Sequence, residues 1–453
     1  MIKINDNFYY PIFEYIYLFV MVIYMAQMTP DTARMVGGLS SGSIFPLLIP
    51  IVLTIILLIR NPISFSDLKL WALVGIMGLW SVAICFKFSA FETKNLSYYL
   101  FLQYAIFIAY IHIKVFGKDL FPIYEHIMVV FSVISLCLWS IAVVLPPVAS
   151  IIFHLFPETN KGNNVLFLFQ WLDPPKVYEY CQSYSYSLRN AGCSWEPGRF
   201  AIMLIPAILF NLSREGVKFR NNKRILILLA TLASTMSTTG YSIVMLIYAL
   251  YWVQEFNTKK ALIFLFVALP LSIFIFSLDF MGEKIQDRAN FEGLTRERLQ
   301  DINYNAKKHG DEYIGSLDRF ESAYFEWINF QQEPLLGYGR NVDHSWFQQN
   351  VSKNYSLTGG LVKILSQYGM FVGTLLYILL FYSSIKISRT CRFQQKSAFA
   401  IALLASSISY IIFTIPIFTA FWLYGLFCFE EDEIIADEME YDELNDNNVF
   451  KQE

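Results

Sequence analysis

The 453 residues are 55% hydrophobic and 17% aromatic but only 16% charged, with a net charge of −3. Soluble domains carry about a quarter charged residues, so this composition excludes an ordinary water-soluble fold and points to a chain dissolved in lipid. Of 37 acids, eleven lie in 430–453 beside a single base, Lys451, so the rest of the chain is net positive.

A bilayer core about 30 Å thick needs roughly 20 apolar residues of helix. The first such run, 11–28, has no small-residue cleavage site after it, so it reads as a spanning helix and not as a signal peptide. Runs at 42–59, 68–86, 97–113 and 126–148 follow, and Glu14 is the main carboxylate inside a span. A long loop, 149–198, separates them from 199–212, 224–238, 241–254 and 261–279. The pair 224–238 and 241–254 is either one long helix or a hairpin. Gly240 beside Ser234, Thr235, Ser237, Thr238 and Thr239 favours a turn at Thr239–Gly240. A second long loop, 280–357, precedes 358–385, 397–414 and 416–429, the last two divided at Pro416 or joined through it.

These runs predict an all-α polytopic membrane protein with about 10–12 transmembrane helices in a membrane domain, 1–429, followed by an acidic, disordered cytoplasmic tail, 430–453. No internal repeat is visible. Lys and Arg set the orientation. Arg214, Lys218, Arg220, Lys223 and Arg224 fall on one side with Lys259, Lys260, Lys386, Arg389, Arg392 and Lys396, and with Lys3, Arg60, Lys69, Lys114 and Lys118. Short loops on the other side hold only Arg34, Lys87 and Lys94. Both termini are therefore expected in the cytoplasm, with the two long loops facing outward.

Polar groups concentrate in those loops. The first ends in Arg189-Asn-Ala-Gly-Cys-Ser-Trp-Glu196-Pro-Gly-Arg199-Phe-Ala and runs straight into an apolar helix. A guanidinium keeps its proton and offers a fork of donors that matches phosphate oxygens. A Glu beside the bilayer, partly desolvated, can have its pKa raised toward that of a working base; a structural ion pair is the plainer alternative. In the second loop, Phe320, Tyr324, Trp327 and Ile328 make one helical face and Arg319, Ser322 and Glu326 another. That pattern suits a helix lying in the outer interface or one packed on the protein. Beyond it, Gly337-Tyr-Gly339-Arg340-Asn-Val-Asp343-His344 joins a glycine-bent backbone to a base, an acid and an imidazole. Cys181 and Cys193 bracket Arg189 and would pair in an oxidising compartment or stay as inert thiols.

The sequence has no Walker A loop, HExxH, Gly-Xaa-Ser-Xaa-Gly or dinucleotide fingerprint, and no aspartate cluster of the kind that holds a divalent metal. No span carries a chain of central acids of the sort found in ion-coupled transporters.

The outward Arg-Xaa-Xaa-Gly…Glu-Pro-Gly-Xaa-Phe stretch opening a helix resembles the polymerases that assemble O-antigen and related bacterial polysaccharides. The Ser/Thr-Gly turn between short helices (Ser237 to Ser242) is similar too. The late glycine-bent loop with His344, the Thr358-Gly-Gly360 helix start and Tyr368-Gly369 resemble those polymerases and the related O-antigen ligases. The similarity covers roughly 185–380. It implies metal-independent glycosyl transfer with no cofactor, from an oligosaccharide on a polyprenyl pyrophosphate, at the outer face of a bacterial cytoplasmic (inner) membrane. It implies Arg189, Arg199, Arg319 and Arg340 as pyrophosphate-binding residues and His344 or Glu196 as the base. A chain-length regulator would be the protein partner; no nucleic acid is expected. An en bloc ligase, or a lipid-linked glycan flippase or other transporter, stays open.

Overall fold

The computed structural model describes residues 2–27, 45–145, 189–253 and 315–428, with small gaps, together with short segments between 158 and 172 and between 300 and 308. The run at 261–279, the tail from 430, Cys181 and most of the first long loop lie outside the described residues.

A hairpin, β1 (Ile2–Asn5) and β2 (Phe8–Tyr10), leads into α1 (Ile12–Gln27), α2 (Phe45–Arg60), α3 (Leu68–Phe88), α4 (Thr93–Phe116) and α5 (Leu120–Val144). The first long loop contributes four antiparallel strands in sequential order, β3 (Glu158–Thr159), β4 (Gly162–Val165), β5 (Phe169–Leu172) and β6 (Arg189–Gly192). Then come α6 (Pro197–Glu215), α7 (Lys223–Ser234) and α8 (Thr238–Val253). The second long loop supplies β7 (Gly315–Ser316), α9 (Arg319–Gln332), α10 (Trp346–Asn350) and β8 (Tyr355–Ser356), with β7 and β8 parallel. The chain closes with α11 (Leu361–Thr390), α12 (Ala398–Ser407) and α13 (Pro416–Phe427).

The described residues are mostly helical, and three helical stretches, Leu68–Phe88, Leu102–Val144 and Leu361–Thr390, are long and apolar enough to cross a membrane. A helix stands at every apolar run named above that falls within the described residues. Two local expectations need correction, and the open question at Pro416 is answered. The architecture is not purely α, because the loops fold into small sheets. The α7–α8 turn falls at Thr235–Ser237, where Met236 takes a left-handed φ of 48°, and not at Gly240. Gly240 lies inside α8, where a Cβ would stand 2.9 Å from both Ala201 and Leu232, so its small size serves packing. Pro416 opens a separate helix as its first-turn residue, a place where its missing N–H costs nothing.

Helices in a bilayer associate through close packing and hydrogen bonds, since lipid tails are as apolar as their side chains. Phe121 of α5 meets Phe210 of α6 at 4.9 Å between centroids and Tyr424 of α13 at 4.7 Å, while Phe421 of α13 meets Tyr124 at 5.2 Å. Each such aromatic pair adds about 0.5–1.5 kcal/mol beyond area burial. Where α11 and α13 touch, Ser383 Oγ donates to the Trp422 carbonyl at 2.7 Å and accepts from the Gly425 N–H at 2.9 Å. At the end of α6 the fully buried Glu125 of α5 accepts from Arg214 Nη2 and Asn211 Nδ2, both at 2.9 Å. The apolar run begins only at 126 in the sequence, so this carboxylate is hidden until α5 is seen to start at Leu120. Ile55, Ile59, Leu79, Phe86, Phe371 and Ile378 leave apolar faces of α2, α3 and α11 open, as a lipid solvent permits.

Candidate functional site

In the turn that follows α7, two backbone carbonyls are met by an arginine side chain. Arg189, opening β6, donates from Nε to the Thr235 carbonyl at 3.1 Å and from Nη2 to the Met236 carbonyl at 3.2 Å. A cation at a helix C-terminus is also favoured by the helix dipole. The next residue fastens the strand. Asn190, buried, donates to Ser234 Oγ at 2.9 Å and Ser135 Oγ at 3.3 Å, and its side-chain oxygen accepts the Gly192 N–H at 2.9 Å. Gly192 has φ 55°, and a Cβ there would fall on the Phe200 ring, so this glycine lets β6 lie against α6.

Arg319 reaches the residues just past this turn: its Nη1 donates to Thr239 Oγ1 in the first turn of α8. As the first residue of α9, Arg319 sits where the helix dipole disfavours a cation, by roughly 0.3–1 kcal/mol. Its placement there gains the helix nothing. Two guanidinium groups from separate loops thus hold one short polar turn, Thr235 to Thr239, and both side chains keep partial exposure. α7 has 12 residues, about 18 Å of helix against a bilayer core of about 30 Å.

Glu196 and Arg199 flank the start of α6. Glu196 holds the N-cap position with extended backbone, and its carbonyl accepts the Arg199 and Phe200 N–H groups at 3.1 Å. Pro197 follows as the pre-formed first residue of the helix. Arg199 is buried in the first turn. Cys193, likewise buried, lies close enough for the Arg199 charge to act on it.

Arg340 and His344 belong to a second group. The His344 ring stacks on Phe88, at the end of α3, with centroids 4.3 Å apart and planes 15° from parallel. Burial holds the imidazole below its ordinary pKa, against the opposing charge of Asp343 and a backbone contact with Tyr338. The neutral form, the one able to accept a proton, is therefore favoured at neutral pH. Among the described residues its Nδ1 has no hydrogen-bond partner. Lys87, next to Phe88, pairs with Glu333 just past α9. The Arg340 charge acts on buried Tyr368, whose ring lies 4.8 Å from Trp80.

α9, of 14 residues, is about 20 Å long. Arg319 stands at its N-terminus. Tyr338 and Phe347 meet its middle, on either side of Arg340 and His344 in the chain, and Lys87 of α3 pairs with Glu333 just past its end. The six candidate residues thus fall at three stations: Arg189 with Arg319 at the turn, Glu196 with Arg199 at the head of α6, and Arg340 with His344 near the end of α3.

α9 carries its polarity reversed relative to a water-facing helix. Glu321, Ser322, Glu326 and Asn329 are buried, whereas Phe320, Tyr324 and Trp327 are about half exposed. The helical periodicity reveals the two faces; it does not say which faces inward. Lys363, buried on α11, stands 3.5 Å from Glu326, and neither this pair nor Glu125–Arg214 is evident from motifs. The available signal is a lone charge inside an apolar run, as at Lys363. Compared with known proteins, the sequence matches no family model and no curated protein.

Proposed function

We propose that this chain is a polysaccharide polymerase: a metal-independent glycosyltransferase that moves a glycan from a polyprenyl diphosphate to the terminal sugar of a second lipid-linked unit. The observation that carries this reading is the convergence of Arg189 and Arg319 on the Thr235–Thr239 turn. Two fixed, forked cations beside a polar turn suit a diphosphate better than any neutral ligand. In this reading the chain crosses the bacterial inner membrane about 10–12 times, with both termini in the cytoplasm and both long loops outside. α9 then turns Phe320, Tyr324 and Trp327 toward the outer headgroup layer, where aromatic residues are favoured.

The chemistry follows from the leaving group. An acceptor hydroxyl attacks the anomeric carbon, the bond from that carbon to the diphosphate oxygen breaks, and the electron pair leaves with the diphosphate. Stabilising that growing charge is the main task, and guanidinium groups perform it without moving a proton. The hydroxyl proton goes to the base, His344 or Glu196. Of the two, His344 has an Nδ1 with no hydrogen-bond partner among the described residues, on a ring stacked against Phe88.

The same imidazole, on a glycine-bent loop, also favours a second reading, an en bloc ligase that differs only in its acceptor. Deleting the gene in a strain with a defined surface polysaccharide separates the two. A polymerase mutant yields core with a single repeat unit on a glycan gel; a ligase mutant yields bare core with long chains still on the carrier. An unchanged ladder refutes both.

A further inference from the structure

α11 is not one helix. At Gly369 (φ 71°, ψ 178°) its backbone leaves helical geometry, and the piece from Met370 to Thr390 is about 31 Å long, the thickness of a bilayer core. The break frees backbone groups, and the 334–339 segment takes them up. Tyr338 N–H donates to the Ser366 carbonyl at 2.9 Å, Gly339 N–H to the Gln367 carbonyl at 3.0 Å, and Met370 N–H to the Pro334 carbonyl at 2.7 Å. The chain that carries Arg340 and His344 is thus laid along the broken helix, backbone to backbone.

One side chain gathers this junction. Glu326 is fully buried, and its carboxylate accepts from Ser366 Oγ at 2.5 Å, Asn329 Nδ2 at 3.1 Å and Tyr338 Oη at 3.3 Å, with the Lys363 ammonium as a fourth donor group 3.5 Å away in an ion pair. They come from α9 itself, from the glycine segment and from the first part of α11. An ionised carboxylate accepts at about four lone-pair sites and donates at none, so it answers all four donors; glutamine cannot, because its NH₂ must face at least one of them. A buried charge with this many partners is costly to assemble and equally costly to break.

We propose that Glu326 is a positioning residue. By holding Tyr338 and Ser366 together it fixes the segment from Gly337 to His344 relative to α9, and so aims Arg340 and His344. This rests on the reading that the segment carries the transfer chemistry. Orientation of that kind governs rate, and a displacement of about 1 Å costs about a hundredfold.

The test uses full-length protein in lipid nanodiscs, comparing wild type with Glu326→Gln, Glu326→Asp and Tyr338→Phe. Hydrogen exchange is followed across 337–344 and 370–390, and transfer is measured with a polyprenyl-diphosphate-linked oligosaccharide. Glu326→Gln should speed exchange in 337–344 about tenfold or more without changing 370–390, and lower kcat at least about tenfold with KM within about twofold. Glu326→Asp should recover part of the rate. Tyr338→Phe should show the same pattern more weakly, and the double variant should be no slower than Glu326→Gln, since both act through one contact. Wild-type exchange in the variants overturns the proposal, as does fast exchange with unchanged kcat. Should Glu326→Gln fail to accumulate, Tyr338→Phe decides alone by the same criteria. Fast exchange in the variants with no turnover even in wild type upholds the clamp and refutes the assigned reaction.

Discussion

Gly337 and Gly369 make room for each other's chains: a Cβ on Gly337 would fall on the Gln367 carbonyl, and one on Gly369 would fall on the Leu335 carbonyl. Both residues lie in the left-handed region, at φ 74° and 71°. Such backbone costs an L-residue with a side chain about 1–3 kcal/mol before any collision is counted, and Gly369, with ψ 178°, lies where essentially only glycine goes. Here the collision is with backbone, which cannot rotate away. Gly369→Ala should therefore destabilise the protein by more than about 2 kcal/mol, read as a fall in its melting temperature in detergent. Gly75, inside α3 with nothing near its missing Cβ, is the control, and Gly75→Ala should not lower the melt but raise it slightly, since alanine is favoured over glycine within a helix by about 0.5–1 kcal/mol.

Arg189 and Arg319 separate the proposed chemistry from a purely structural role. Arg189 spans two carbonyls with its fork, and a lysine presents one compact ammonium that cannot reproduce both bonds. Arg189→Lys should lower chain growth by about ten- to a hundredfold, and Arg189→Ala and Arg319→Ala should abolish it. The protein should remain in the membrane at wild-type amounts in each case. Normal ladders from the alanine variants would remove these residues from the site. Loss of the protein itself would make the arginines caps for the turn and nothing more.

The helices were legible because apolar length is a direct consequence of bilayer thickness, and α3, α5 and α11 are read almost entirely from it. What escaped depends on partners distant in sequence. The turn between α7 and α8 was visible as a run of Ser and Thr, but the arginine that holds its Thr235 and Met236 carbonyls comes from β6, which no local pattern records. The polarity of α9 was visible and its direction was not. Only the presence of Lys363 and Ser366 alongside explains why Glu326 turns inward and Trp327 outward. Likewise Arg319 and Arg189 looked alike as loop arginines, and only the fold shows that they share a turn while Arg340 goes elsewhere.

His344 gives a pH signature. Burial lowers its pKa and the Asp343 carboxylate raises it, so the group titrates below the ordinary histidine value. Activity that needs the neutral imidazole should be flat near pH 7 and fall only as pH drops below that lowered value. Asp343→Asn removes the raising charge and should move the acid limb of kcat to lower pH; Phe88→Leu, which opens the ring to solvent, should move it up. Stability follows the same sign. Because the folded imidazole binds its proton later than the unfolded one, the native state should lose stability as pH falls below the ordinary histidine range, until the folded group is protonated too. An acid limb that ignores both substitutions would assign the base to another residue.

The proposed reaction also requires the two arginine-bearing loops to lie on the side of the membrane opposite Arg214. In the proposed topology α6 is what links the two sides: it starts beside Glu196 and ends at Glu215, 19 residues or about 28 Å later, against a hydrocarbon core of about 30 Å. Arg214 near its end pairs with Glu125 in a region otherwise rich in Lys and Arg, the composition of a cytoplasmic face. Val342, beside His344, and Glu215 are both exposed and suit single-cysteine labelling in an otherwise cysteine-free chain. A membrane-impermeant maleimide should label Val342→Cys in intact spheroplasts and Glu215→Cys only after permeabilisation. The reverse pattern would put both guanidinium groups in the cytosol, away from any glycan already carried across the membrane, and no transfer of the proposed kind would then be open to this protein.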